Sequence, residues 1–201
     1  MRRTLILLVS LAAACAPKDR APRPITGMGL VPPRPKPEFA LVSDRGAPYD
    51  FRRETDGYAT IVYFGYTNCP DVCPLHMANI AHALTNVSPE ERARLRVIFV
   101  TVDPARDSAP VLRAWLTHFD TTFVGLTGTL AQVNAAEKAF GIPEAKRESE
   151  AAAYTMGHSA MVFGFTADDS LRVVWPFGTK PEDWAKAIPE LIAWAPGADG
   201  R

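Results

Sequence analysis

The sequence predicts an α/β domain with a central mixed sheet flanked by helices, ending in a C-terminal β-hairpin and a closing helix. Three observations carry this. Apolar segments of strand character alternate with helical stretches through residues 38–201, the pattern of a layered sheet. The last two apolar runs are parted only by Ala167-Asp168-Asp169-Ser170, a tight turn between antiparallel strands. Hydrophobic residues make up 47% of the 201-residue chain, enough to bury a real core and to rule out wholesale disorder.

The elements follow in order. Met1-Arg2-Arg3 supplies a positive start, residues 4–11 an apolar run, and Ala12-Ala13-Ala14 the small residues a signal peptidase needs beside its cut. The run is too short for a permanent membrane helix, so residues 1–14 are expected to be a signal peptide. Small residues before Cys15 resemble the lipobox of bacterial lipoproteins, although its usual leucine is replaced by Ala12, with Leu11 one place further back. The expectation is a lipidated Cys15 that anchors the protein to the periplasmic side of a bacterial inner membrane. A soluble periplasmic protein with an incidental Cys15 is the alternative. Residues 15–37 contain Pro17, Pro22, Pro24, Pro32, Pro33, Pro35 and Pro37, a density that opposes helix and sheet and predicts an extended tether.

Strands are expected at 39–42, 60–64, 97–102, 160–165 and 171–175, and helices at 74–86, 110–119, 130–140 and 181–194. Residues 145–153, with Lys146, Arg147, Glu148 and Glu150, read as an exposed loop, and Glu90-Glu91-Arg92-Ala93-Arg94 as a solvated helix face. Lys and Arg number 22 against 22 Asp and Glu, so no excess charge points to nucleic acid or to a membrane held by basic residues. Losing residues 1–14 would leave 20 basic against 22 acidic residues, which points the same way. Any specificity must sit in a local site.

That site is expected at Tyr66-Thr67-Asn68-Cys69-Pro70-Asp71-Val72-Cys73-Pro74, where a strand ends and a helix begins. A helix amino terminus presents unpaired amides and partial positive charge, which favour a thiolate. Pro74 suits the first helical turn, and Pro70 stiffens the segment between the thiols. A permanent disulfide across so short a loop restrains the unfolded chain little, so a reversible or metal-binding pair is the better reading. A dithiolate needs a third group to hold a soft metal, and four histidines are candidates. His158 lies just before the 160–165 strand, in a loop able to return beside the first helix. His76, three residues after Cys73, is expected on a solvated helix face, and His82 and His118 read as surface or partly buried residues. Two thiolates and an imidazole suit copper, whereas zinc in a closed site usually takes a fourth protein ligand.

The chain resembles the Sco/SenC family of thioredoxin-like copper chaperones. The resemblance covers nearly the whole domain and rests on Cys69-Pro70-Asp71-Val72-Cys73-Pro74, Val102-Asp103-Pro104-Ala105-Arg106-Asp107, Gly125-Leu126-Thr127-Gly128-Thr129 and His158-Ser159-Ala160. It implies a thioredoxin-like fold, copper bound as Cu(I) or Cu(II) by Cys69, Cys73 and His158, and a role in assembling the binuclear copper (CuA) centre of cytochrome c oxidase. The implied partners are the copper-site subunit of that oxidase and other periplasmic copper carriers. Many relatives carry Asp directly before the histidine, where this chain has Gly157, so a carboxylate contribution at that place is in question.

Other motifs have plainer readings. Asp103 precedes Pro104 in a turn after a strand, Asp107 and Ser108 are placed to cap the next helix, and Arg106 is expected to pair with either carboxylate. Trp175-Pro176-Phe177-Gly178 suits either the rim of the site or the edge of the core. Three functional classes compete: a non-enzymatic metallochaperone, a thiol-disulfide oxidoreductase using Cys69 and Cys73 to keep the oxidase's copper-site cysteines reduced, and a thiol peroxidase. The last is disfavoured because Tyr66 stands three before Cys69, where a peroxiredoxin-type site has Thr or Ser. A generic thioredoxin has two residues between its cysteines rather than three and no use for His158.

Overall fold

The computed structural model describes residues 24–149 and 153–195. The expected signal peptide, Cys15 and the first part of the tether lie outside the described residues. In chain order the elements are β1 (Met28–Pro35), β2 (Ala40–Ser43), β3 (Pro48–Asp50), α1 (Phe51–Glu54), β4 (Ala59–Gly65), α2 (Val72–Leu84), α3 (Pro89–Arg92) and β5 (Leu95–Thr101). They continue with α4 (Ala109–Leu116), β6 (Val124–Thr127), α5 (Leu130–Phe140), β7 (Lys146–Arg147), β8 (Met156–Gly157), β9 (Val162–Thr166), β10 (Ser170–Trp175) and α6 (Pro181–Ala193).

Eight strands form one mixed sheet in the order β1-β10-β9-β4-β5-β6-β2-β3. β4, β5 and β6 are parallel, and the other neighbours are antiparallel. All seven residues of β4 are buried, which is why Ala59-Thr60-Ile61-Val62-Tyr63-Phe64-Gly65 is nearly continuously apolar instead of alternating. β9 and β10 make the expected hairpin, with Asp169 in its turn at φ 59°. α6 closes the domain by burying Trp184, Ala187, Ile188, Leu191 and Ile192, one stripe at helical spacing, and packs beside α2.

The N-terminal boundary is a correction. Residues 28–35, expected in the tether, form edge strand β1 along β10, with Met28 opposite Val174 and Pro35 opposite Ser170. An edge strand needs its donors on one side only, and the register shifts between Gly29 and Arg34, where Pro32 and Pro33 lie, so the prolines cost the ladder little. The strand is then pinned. The buried Lys36 ammonium donates to the Thr55 carbonyl (2.8 Å) and pairs with Asp169 in the hairpin turn (2.7 Å). The domain therefore begins before residue 38.

Topology places the site. The carboxyl ends of parallel β4 and β5 lie side by side, Gly65 opposite Thr101, and the loops leaving them meet at that edge. β9 runs antiparallel to β4 with Val162 opposite Tyr63, so the residues just before β9 arrive beside those just after β4.

Candidate metal centre

The loop from β4 to α2 carries the thiols. α2 begins at Val72, so Cys73 sits in its first turn and Cys69 on the loop just before it. Cys73 is buried and Cys69 is partly exposed; both are free thiols. The Cys73 amide donates to Cys69 Sγ (3.4 Å), and the Tyr63 hydroxyl donates to Cys73 Sγ (3.4 Å). Gly65 leaves room for this sulfur, since a Cβ there would stand 2.8 Å from Cys73 Sγ and 3.0 Å from Phe99 and Tyr63 atoms.

The environment separates the two thiols. A hydrogen bond from the Cys73 thiol, backed by the amides of Cys73 and Asp71 and by His158, outweighs desolvation and draws Cys69 down to about 4. Burial, reinforced by the neighbouring Cys69 sulfur, pushes Cys73 up. Near neutrality the metal-free pair is one thiolate and one thiol.

His158 comes from the segment between β8 and β9. Its Nδ1 lies 2.9 Å from the Ser159 carbonyl; a carbonyl only accepts, so Nδ1 carries a proton and Nε2 is the ring nitrogen turned to the sulfurs. Nε2 stands 3.7 Å from Cys73 Sγ. The ring is held edge-on to Tyr66 (centroids 5.6 Å) and Tyr63 (6.2 Å). One ligand atom each from Cys69, Cys73 and His158 thus falls within 4.8 Å of the others. Two sulfurs and one imidazole nitrogen make a donor set for a soft, low-coordinate ion.

The segment Val102–Asp107 braces both sides of this site, a role the sequence reading missed. Asp107 does not cap α4. Its buried carboxylate turns back to accept from the Thr67 amide (3.0 Å) and hydroxyl (2.6 Å) and from the Thr101 hydroxyl (2.6 Å), fixing the loop two residues before Cys69. Ser108 occupies the N-cap position of α4 without a side-chain cap bond. Asp103 pairs with Arg106, as expected, and also accepts from the Tyr154 hydroxyl (2.9 Å). Arg106 donates to the Tyr154 carbonyl (3.1 Å) and lies 3.5 Å over that ring, four residues before His158. One loop therefore ties the cysteine segment to the histidine segment.

The remaining candidates separate clearly. His82 and His118 are exposed, as expected. His76 is a second correction: it is 3% exposed, because Cys73, His76, Met77, Ile80, Ala83 and Leu84 fall on one buried stripe of α2. Trp175 belongs to the core, with its Nε1 donating to the Thr26 carbonyl (2.7 Å), whereas Phe177 is half exposed and shares a cavity of about 540 Å3 with His158, Glu144 and Met161. At Gly157 a Cβ would stand 3.0 Å from a Glu148 carboxylate oxygen, so that carboxylate occupies the space beside the residue preceding the histidine.

A family profile described as SCO1/SenC matches residues 31–193. A Stutzerimonas stutzeri protein described as a candidate copper-binding protein is 30% identical over 199 residues, 96% of this chain and 95% of the relative. Among solved structures, Bradyrhizobium japonicum ScoI with copper bound superimposes with a TM-score of 0.70 at 26% identity, covering 79% of this chain and 99% of that one. Yeast Sco1 with copper bound gives a TM-score of 0.69 at 27% identity, covering 82% and 92%.

Proposed function

The chain belongs to the SCO1/SenC family, and on that premise we propose that it is a copper metallochaperone. Copper is held between Cys69, Cys73 and His158 and passed to the copper-site subunit of cytochrome c oxidase during assembly of its CuA centre. The single observation that supports this most is the convergence of two sulfurs and an imidazole nitrogen within 4.8 Å at one edge of the sheet. Copper is the cargo. Cys69, partly exposed and drawn down, is the first point of contact, and Cys73, deeper in the fold, completes the dithiolate when the metal displaces its proton.

A second reading is favoured by the same split between the thiols. A partly exposed, low-pKa Cys69 backed by a buried Cys73 is the arrangement of a thiol-disulfide oxidoreductase, in which Cys69 attacks a partner disulfide and Cys73 resolves the mixed disulfide. Atoms balance: the partner leaves with two thiols and this protein with a Cys69–Cys73 disulfide. One experiment separates the readings. Copper-loaded protein is mixed with the reduced, copper-free soluble domain of the oxidase subunit, and copper-free reduced protein with the same domain oxidised. Growth of the CuA absorption in the first mixture, read after the transferred Cu(I) pair is oxidised by one electron with ferricyanide, supports the chaperone; reduction of the domain in the second supports the oxidoreductase, and failure of the first overturns metal delivery.

The place of action is part of the same proposal. Residues 1–14 are a signal peptide, and Cys15 is the lipidated first residue of a tether that holds the domain on the periplasmic side of a bacterial inner membrane. Among the described residues no helix is long and apolar enough to cross a membrane. Changing Cys15→Ser should release the protein from membranes or leave an uncleaved precursor, while copper binding by the folded domain stays the same. A wild-type protein that begins at a free Cys15 and fractionates as soluble would contradict the anchor.

A further inference from the structure

Glu137 is a carboxylate that the proposed copper chemistry leaves unused. It is fully buried, on the face of α5 that also buries Val133, Ala136 and Phe140. Burial, with Glu144 close by, pushes its pKa up to about 7 against the pull of the Ala145 amide, so an apolar side chain would sit there at less cost. Its partners lie in the chain that leaves the helix. Gly141, at φ 72°, turns that chain back, and the Ile142 amide donates to the Glu137 carbonyl (3.1 Å). The Ala145 amide then donates to both oxygens of the carboxylate, at 3.0 and 3.2 Å. Residues 141–145 are thus folded around one side chain, and β7 starts at the next residue. That strand leads to the metal centre. Lys146 lies opposite Gly157 and Arg147 opposite Met156, and the Glu148 amide donates to the Thr155 carbonyl (3.0 Å). Gly157 is the residue before His158. The β7–β8 ladder is separate from the eight-stranded sheet, so its position depends on what holds each strand to the domain. Tyr154, just ahead of β8, is gripped by Asp103 and Arg106, and Glu137 grips the start of β7.

We propose that Glu137 is a positioning residue for the metal centre: its carboxylate fixes Ala145, Ala145 fixes the start of β7, and β7 sets Gly157 and with it the His158 imidazole against the two sulfurs. The group serves in either protonation state, since a carboxylic acid keeps a carbonyl oxygen for the Ala145 amide. Removing the acceptor would loosen the ladder on its β7 side and leave an amide in a partly buried turn without its partner. The inference rests on the copper reading above, because this register matters to function only if His158 binds the same ion as the cysteines.

The test uses wild-type protein, Glu137→Leu and Glu137→Gln, each titrated with Cu(I) against a chromophoric Cu(I) chelator and then measured by X-ray absorption. Leu keeps most of the buried volume and removes the acceptor. It is expected to weaken Cu(I) retention by about tenfold and to thin the nitrogen contribution at copper, while both thiols still titrate and both sulfurs stay on the metal. Gln, which keeps an oxygen for the Ala145 amide, is expected to stay close to wild type. A folded Leu variant with wild-type retention and nitrogen signal overturns the inference, and so does a Gln variant weakened as much as Leu. NMR of the copper-free proteins reads the same register without metal. In the wild type the Ala145 amide is expected to exchange slowly with solvent, and the rings of His158 and Tyr66, with centroids 5.6 Å apart, to show strong cross-relaxation. Leu should lose both signals and Gln should keep both. A wild-type Ala145 amide that exchanges as fast as one in an unfolded chain overturns the tie without any variant. Failure of the wild-type protein to retain copper would remove the copper reading, whereas the copper-free spectra judge by themselves whether Glu137 sets His158.

Discussion

Asp107 holds Thr67 through both of its carboxylate oxygens, the backbone amide at 3.0 Å and the hydroxyl at 2.6 Å, across forty residues of chain. The same carboxylate accepts from the Thr101 hydroxyl on the neighbouring strand, so the loop before Cys69 is clamped to the end of β5. Asp107 is fully buried, and burial raises its pKa against the pull of these three donors. The cysteine loop is thereby fixed by contacts within the protein itself.

Replacing Asp107 by Ala strands buried donors and should cost about 2–4 kcal/mol of folding free energy, read as a fall in the urea midpoint with little change in slope. Copper retention should fall too, because the segment leading to Cys69 loses its clamp. A loss below about 0.5 kcal/mol would mean that water or another acceptor replaces the carboxylate.

At Gly65 a Cβ would enter the space of Cys73 Sγ at 2.8 Å and of two aromatic rings at 3.0 Å. Gly65→Ala should therefore destabilise the domain by about 1–3 kcal/mol through overpacking, and in the surviving folded protein it should displace Cys73 and weaken Cu(I) retention more than a remote change of equal stability cost. Thermal unfolding alongside a Cu(I) competition titration measures both.

The split between the thiols makes a pH prediction. Cys69 is lowered to about 4, with the hydrogen bond from Cys73 as the largest cause, while burial raises Cys73. Alkylation of the reduced, metal-free protein should modify Cys69 first, at a rate already on its plateau by about pH 6, with mass spectrometry locating the label. A rate that climbs with a midpoint near the ordinary thiol value would contradict it. The linkage has a definite sign. A depressed Cys69 stabilises the reduced fold fully above the unfolded-state thiol pKa, progressively less below it, and not at all once pH falls through the folded value near 4. Cys69→Ser should flatten that slope.

Copper and a Cys69–Cys73 disulfide should exclude one another, since sulfurs joined to each other have no thiolate to give a metal. Protein oxidised to remove all free thiols should take up no Cu(I) until a reductant restores it. Full loading with no titratable thiol would defeat this and, with it, the assignment of the cysteines.

Much of this architecture was legible from local pattern. β4 and β5 are buried apolar runs rich in β-branched and aromatic residues, and α5 and α6 carry clear helical stripes, so period and composition located them. β1 was hidden because prolines argue against a strand until its place at the sheet edge, paired on one side, is known. β6 was hidden because four residues including Gly125 hold too little periodicity to register. At the site, Cys69 and Cys73 announced themselves by spacing, and His158 by its combination with them. His76 was misplaced although Cys73, Met77, Ile80 and Leu84 already marked a buried stripe that includes it. The links from Asp107 to Thr67 and from Arg106 to Tyr154 join segments 40 and 48 residues apart, and no local signal encodes such contacts.

The most direct measurement of the central claim is X-ray absorption at the copper edge on the Cu(I)-loaded wild-type protein beside a folded His158→Ala variant. The wild type is predicted to show two sulfurs and one imidazole nitrogen, and the variant to lose the nitrogen while keeping both sulfurs and to retain copper at least about tenfold less tightly. A wild-type spectrum with sulfur neighbours alone, or a variant with unchanged spectrum and affinity, would contradict the assignment of Cys69, Cys73 and His158 as the copper site.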